Sequence, residues 1–89
     1  MNFKGVIRHL ADVNQGLTKS GNQWKKRTIV IEQYDVQHPQ SIVVDVWDDD
    51  ALRDWRVGQK VEVSLSFRYS EFGGRYYNDV RAWKIVLIE

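Results

Sequence analysis

Apolar residues in this chain recur at every second position over several short stretches, and this alternation restricts the fold more than any other feature. In the clearest stretch, Val61, Val63 and Leu65 alternate with polar residues, and Phe67 continues the series. A period of two puts one face of an extended strand against a core and the other in solvent. The same alternation recurs over residues 42–47. The sequence therefore predicts an all-β fold, with Phe67 in its core.

Five strands follow from these stretches and from the turn-forming residues between them. They cover residues 3–13, 23–31, 42–47, 61–68 and 75–88. Polar or glycine-rich breaks at 14–22, 37–40 and 72–75 separate them, and the pair Gly73-Gly74 suits a hairpin turn. Gly5 allows a bend or bulge in the first strand.

One short helix is predicted between the third and fourth strands, over residues 48–55. The run Asp48-Asp49-Asp50 suits an N-cap and the helix dipole, while Leu52 and Trp55 form an apolar i,i+3 pair. Trp55 is expected in the core. Five strands with one short helix between strands 3 and 4 is the layout of the OB-fold barrel. An SH3-like barrel is the competing architecture.

Length and composition exclude several classes of protein. Eighty-nine residues suffice for a single domain, covering 1–89. The absence of cysteine excludes disulfides, thiolate catalysis and cysteine-bound zinc, and two histidines are too few for a metal site without carboxylates. No cofactor or metal is expected. No triad pattern surrounds His9 and no glycine-rich phosphate loop is present, so a binding module is expected rather than an enzyme.

The net charge of +1 hides three segments of unequal charge. Residues 14–31 carry four basic side chains and no acid, and residues 68–84 carry four basic side chains against two acids. Between them, residues 32–54 carry seven acids against one base, Arg53. Such segregation indicates surfaces with opposite electrostatic preferences.

Aromatic residues are concentrated in the two basic segments. Trp24 precedes Lys25-Lys26-Arg27, and five aromatic residues are interspersed among Arg68, Arg75 and Arg81. Cations that follow phosphates, together with rings on which unpaired bases stack, are typical of single-stranded nucleic-acid binding. In an OB-fold these segments fall at the strands and loops that form the binding surface. The alternative interpretation is that the rings are core packing and the basic run is a solvated edge.

Strand alternation selects among the rings. If Val44 and Val46 face the core, Trp47 faces outward beside the groove. If Val80 and Ala82 face inward, the opposite face presents Tyr77, Arg81 and Trp83.

Four stretches resemble a small bacterial family of uncharacterised OB-fold domains, which is itself similar to bacterial and phage single-stranded DNA-binding proteins. They are KSGNQWKKR at 19–27, VDVWDD at 44–49, VGQKVEV at 57–63 and, most specifically, GGRYYNDVRAWKI at 73–85. The resemblance implies an OB-fold and a role with single-stranded DNA, and it points to Trp24, Lys25, Lys26, Trp47, Tyr77, Arg81 and Trp83. Bacterial single-stranded DNA-binding proteins typically end in an acidic tail, whereas this chain ends IVLIE. Partners are therefore expected to engage the barrel itself.

The sequence predicts a non-catalytic, largely sequence-independent single-stranded DNA-binding protein of replication, repair or recombination. With no leader pattern and no apolar run of about 20 residues, it is expected to be cytoplasmic, nucleoid-associated and free of membranes. The expected phosphate contacts are Lys19, Lys25, Lys26, Arg27, Arg75 and Arg81, and the expected stacking rings are Trp24, Trp47, Tyr77 and Trp83. Two alternatives stay open: a single-stranded RNA binder, and a protein-interaction or assembly module. Self-association into a dimer or tetramer also stays open.

Overall fold

Residues 1–88, which a computed structural model describes, form six strands and one short helix. In chain order these are β1 (Asn2–Leu10), β2 (Asn14–Leu17), β3 (Gln23–Glu32), β4 (Ser41–Trp47), α1 (Asp49–Leu52), β5 (Lys60–Phe72) and β6 (Arg75–Leu87). The sheet order is β1-β5-β6-β4-β3-β2, and a further pairing of β1 with β3 closes five strands into a ring. The five predicted strands are confirmed, as is the helix between the third and fourth of them.

β1 closes the ring because it pairs with two different strands. Its first half, Asn2–Val6, pairs antiparallel with β5, and its second half, Val6–Leu10, pairs with β3. The change of partner occurs beside Gly5, where an added Cβ would lie 2.5 Å from the carbonyl oxygen of Glu32. Glycine is therefore needed where the backbones of β1 and β3 approach closely. The irregularity in β1 lies farther along than the bend or bulge expected at Gly5, between Ile7 and His9, where the register against β3 shifts.

The core consists of alternate residues from each strand of the ring. Its fully buried members on β4 and β5 are Val44, Val46, Val61 and Val63, as the period of two predicts. Trp55 is also buried, which confirms its predicted place in the core. Aliphatic and aromatic burial of this kind is the main force that stabilises a small barrel.

Phe67 lies outside the core, so the prediction that it would be buried is wrong. Its side chain is 56% exposed. The reason is that β5 and β6 continue as a hairpin past the end of the ring, where β1 no longer pairs with β5. The alternation of Val61, Val63 and Leu65 therefore continues past the last buried residue of β5, onto a part of the hairpin where Val80 still packs against the core but Phe67 does not. We call this projecting hairpin, residues 67–80, the arm.

α1 is shorter than predicted and is not capped as expected. Asp48 occupies the N-cap position but makes no side-chain capping bond, since its backbone has a left-handed φ of 53°. Its carboxylate instead accepts a hydrogen bond from the backbone N–H of Lys25. Leu52 is exposed rather than paired with Trp55 against the core. The barrel end is filled instead by Ala51 and Trp55, whose indole N–H donates to the carbonyl of Asp50 at 2.7 Å.

Part of the predicted loop 14–22 forms the sixth strand. β2 pairs antiparallel with β3 from Asn14 opposite Lys26 to Leu17 opposite Gln23. The tight turn of residues 18–22 joins them, and within it Thr18 and Asn22 exchange hydrogen bonds. β2 thus extends the sheet beyond the ring as an edge strand.

The junction between β4 and β6, which we call the seam, has the fewest paired residues of any two neighbouring strands in the ring. These strands run parallel and share one bridging pair, Asp45 with Arg81, within the described residues. Every other neighbouring pair of strands in the ring is antiparallel and shares at least four residue pairs. The ring therefore closes weakly on this side.

Candidate nucleic-acid interface

One side of β3 and β4 presents alternate residues on the outside of the ring. Lys26 lies opposite Trp47, and Thr28 lies opposite Asp45. Because Val44 and Val46 point inward, their neighbours Asp45 and Trp47 point outward, as the alternation predicts. The Thr28 hydroxyl donates to Asp45 Oδ1 at 2.7 Å, which fixes that carboxylate against the sheet.

Trp24 lies across β2, and a glycine makes room for it. Its cross-strand partner is Gly16, where an added Cβ would lie 2.6 Å from Trp24 Cζ2. The indole also contacts Trp47, with ring centroids 5.8 Å apart and planes inclined at 59°. Trp24 is thereby held in place on one side by backbone and on the other by a second ring.

Trp47 is a platform for cations. The Arg81 guanidinium carbon lies 4.5 Å from its ring centroid, and Lys26 Nζ lies 5.7 Å from it. Both distances are within the range in which a ring attracts a cation. The indole N–H of Trp47 is buried and has no hydrogen-bond partner among residues 1–88. Trp47 therefore positions Arg81 and Lys26, and part of its face is already covered.

A β-bulge places Trp83 beside this platform. On β6, Lys84 pairs with Ser64 and Ala82 pairs with Leu65, so that Trp83 is the extra residue between them. The bulge keeps Ala82 and Ile85 both facing the core although they are an odd number of residues apart. The Trp83 ring is 63% exposed, which makes it more accessible than Trp24 or Trp47.

These elements enclose an open groove with a volume of about 510 Å³. Its lining residues come from β3, β4, β5 and β6: Lys26, Asp45, Trp47, Ser66, Arg68, Asp79, Val80, Arg81 and Trp83. Three cations therefore face two carboxylates. In this arrangement the cations offer phosphate contacts, while the carboxylates repel phosphates and accept hydrogen bonds from base amino groups.

The structure brings together about half of the residues predicted for the site. Lys26, Trp47, Arg81 and Trp83 line the groove, and Trp24 packs on Trp47. Register places two more predicted residues, Tyr77 and Arg75, on the arm, on the same face as the groove-lining pair of Arg68 and Asp79.

Three other predicted residues lie away from the groove. Lys25 and Arg27 alternate with Trp24 and Lys26, so they point to the opposite side of β3. Arg27 is engaged there, because its Nε donates to the carbonyl of Ala11 at 2.8 Å. Lys19 lies in the exposed turn between β2 and β3.

The sequence-based selection missed Arg68 and both carboxylates of the groove. The signal for Arg68 was present, since it lies three residues after Leu65 in the alternating stretch and so points away from the core. Asp79 is its direct partner across the hairpin. Finding that pair requires the register of β5 against β6, which the Gly73-Gly74 turn fixes.

Two features are absent from residues 1–88: a cluster of metal-ligating side chains and a helix that could span a membrane. Within residues 1–88, no group of three or more histidine and carboxylate side chains converges as a metal site would require. In the same part of the chain, no helix combines the length and the apolar character needed to cross a bilayer.

Comparison with solved structures identifies the architecture. The second OB-fold domain of replication protein A from Methanococcus maripaludis superposes with a TM-score of 0.75 at 16% identity. The match covers 99% of this chain and 82% of the archaeal domain. The predicted OB-fold is therefore confirmed over an SH3-like barrel.

Sequence comparison gives the family. No curated protein matches the chain. The match to a family covers residues 2–86, nearly the whole chain, which confirms the expected resemblance to an uncharacterised OB-fold family. The chain belongs to the family described as the domain of unknown function DUF3127.

Proposed function

We propose that this chain is a non-catalytic single-stranded DNA-binding domain that holds the strand in the groove between β4 and β6, largely independently of base sequence. The observation that carries the proposal is the convergence of Lys26, Arg68 and Arg81 with the indoles of Trp47 and Trp83 on one open groove. A fold that is shared with many functions supplies only the framework, so the argument rests on these side chains.

In the proposed complex, cations and rings have separate tasks. Arg81 and Lys26, held over Trp47, contact phosphates. Bases stack on the exposed ring of Trp83, and further bases stack on Tyr77, which lies on the groove face of the arm. Stacking accepts any base because every base has a π-face, which gives binding without sequence preference.

The structural neighbour supports DNA as the ligand. It is a domain of replication protein A, so its own name connects it with replication. A cytoplasmic location at the nucleoid follows from this proposal. RNA is the alternative ligand, since stacking and phosphate contacts do not distinguish the 2′-hydroxyl.

Fluorescence anisotropy of a labelled oligo-dT strand tests the proposal. We expect saturable binding at low salt, and a loss of affinity of roughly tenfold or more in the double variant Trp83→Ala/Lys26→Ala, because one stacking ring contributes about 1–3 kcal/mol. Lys4→Ala is the matched control for charge. Lys4 lies in a separate surface depression with Tyr34 and Val36, so the affinity of this variant should match that of the wild type.

One result would assign the groove to RNA rather than DNA, and another would contradict nucleic-acid binding. A matched RNA strand that binds more tightly than the DNA strand assigns the groove to RNA. No binding of either strand at low salt, by a protein with an intact circular dichroism spectrum, contradicts the proposal altogether.

A further inference from the structure

The two faces of the arm differ in chemistry. Directly opposed residues in an antiparallel hairpin project to the same side, and successive pairs alternate between sides. The groove face carries the pairs Arg68–Asp79, Ser70–Tyr77 and Phe72–Arg75. The other side, which we call the back face, carries the pairs Phe67–Val80, Tyr69–Asn78 and Glu71–Tyr76, of which Val80 packs against the core and also borders the groove. Both faces carry aromatic rings, but both basic residues of the arm lie on the groove face, whereas the back face carries three rings and no cation.

The back face exposes large rings that nothing in the described chain covers. Phe67, Tyr69 and Tyr76 are 56%, 76% and 70% exposed. Tyr69 and Tyr76 contact each other, with centroids 6.4 Å apart, and Phe67 lies on the same face two residues before Tyr69. A two-stranded hairpin standing alone in water is only marginally stable, and exposed contiguous apolar patches of this kind mark interaction sites.

Charge argues against nucleic acid as the occupant of this face. No lysine or arginine lies on it, and Glu71 is its one charged side chain. A polyanion would therefore meet repulsion and no counter-charge. The basic residues of the arm, Arg68 and Arg75, are both on the groove face.

We propose that the back face binds the back face of a second copy of this chain, forming a twofold symmetric dimer through the arms. Each ring offers roughly 200 Å² when free, so at these exposures the three rings leave roughly 400 Å² per copy. Two copies would bury roughly 800 Å² from the rings alone, and flanking residues bring the total near the ~1,000 Å² that a specific interface needs. A self-complementary patch is what twofold symmetry requires.

The dimer would carry its two grooves on opposite sides of the paired arms, since each groove face is turned away from the back face. A strand long enough to reach both grooves would gain affinity through effective concentration without any new contact. The dimer itself does not depend on the proposed DNA binding, and its test needs no nucleic acid.

Sedimentation equilibrium tests the dimer. The wild type should sediment with twice the 10.5 kDa mass of one chain. Tyr69→Ser/Tyr76→Ser should raise the dissociation constant roughly tenfold or more, because buried aromatic residues dominate interface energies. Phe72→Ser is the matched control, since Phe72 is 82% exposed on the same hairpin but on the groove face. A monomeric wild type, or equal weakening by both variants, overturns the proposal.

Single cysteines locate the interface independently, because the natural chain has none to interfere. Asn78→Cys on the back face should form a cross-linked dimer on mild oxidation. Ser70→Cys, one pair along on the groove face, should not cross-link. Cross-linking of Ser70→Cys but not of Asn78→Cys would place the contact on the wrong face and overturn the proposal.

Discussion

Lys26 and Arg27 are adjacent cations whose surroundings give them different tasks. Lys26 points to the outside of β3, above Trp47 and into the groove. Arg27 points to the other side, where it donates to the carbonyl of Ala11 and ties β3 to the chain that follows β1. Under the proposed function the first cation contacts a phosphate, whereas the second holds two parts of the chain together.

Alanine substitution should separate these two tasks. Lys26→Ala should weaken DNA binding by about 1–2 kcal/mol through a lost charged contact and leave the free energy of unfolding unchanged. Arg27→Ala should lower the free energy of unfolding by about 1 kcal/mol and leave the DNA affinity of the folded protein nearly unchanged. Urea denaturation and anisotropy titration of both variants measure the four values. Loss of affinity in the folded Arg27→Ala protein equal to that of Lys26→Ala would contradict this assignment.

Residue-level prediction from sequence succeeded where a neighbouring strand enforces alternation. Trp47 faces outward and Trp55 is buried, as the pattern indicated. It failed at Phe67, because alternation shows which side a residue faces but not whether a core extends that far. It also treated Lys25, Lys26 and Arg27 as one basic run, although a strand must divide such a run between two faces.

Most of the arm lies beyond the residues that build the core. β5 and β6 each have 13 residues, but the buried residues of β5 end at Leu65 and those of β6 begin at Ala82. The turn at its tip uses Gly73 and Gly74 with φ values of 59° and 80°, as a tight two-residue hairpin requires. The residues between these limits are not fully buried, and they alternate between the groove face and the back face.

Shortening the arm should therefore leave the barrel intact. Replacing residues 69–78 by Asn-Gly keeps Arg68 opposite Asp79 and closes the hairpin with a favoured turn. We expect an unchanged β-sheet circular dichroism spectrum and cooperative unfolding, with DNA affinity reduced roughly tenfold through loss of the stacking ring of Tyr77. A chain that no longer folds would show that the arm stabilises the barrel.

Other elements show where sequence signals end. The turn between β5 and β6 was predictable because paired glycines have few other uses between two strands. β2 was not, because its residues, Asn-Gln-Gly-Leu, have weak strand preference, and the packing of Trp24 over Gly16 that accompanies its pairing is a tertiary contact. α1 was predicted too long, since Trp55 turns into the barrel instead of continuing the helix.

The whole molecule has an acidic end and a groove that runs away from it. Asp48, Asp49 and Asp50 cluster at α1, directly after Trp47, and α1 packs on β3 and β4. Arg81 and Arg68 lie farther along the groove toward the arm. A polyanion bound in the groove is therefore expected to extend toward the arm and away from α1.

The salt dependence of binding should reflect these few cations. With three phosphate contacts, from Lys26, Arg68 and Arg81, log K against log salt concentration should fall with a slope of about −2 on a single strand. Arg81→Ala should make the slope less steep, whereas Arg81→Lys should keep the slope but lower the affinity through loss of its contact with Trp47. Anisotropy titrations over a range of potassium chloride measure both. A slope near zero would exclude the phosphate contacts.

The weak seam between β4 and β6 lies directly under the groove, since its one bridging pair, Asp45 and Arg81, is also part of the groove lining. A strand bound there would touch β3 and β4 on one side of the seam and β5 and β6 on the other. A bound strand would thus stabilise the junction of β4 and β6, which has the fewest backbone pairs in the ring. Folding and ligand binding are then thermodynamically linked, and occupancy of the groove would reduce the local opening of the barrel as well as its global unfolding.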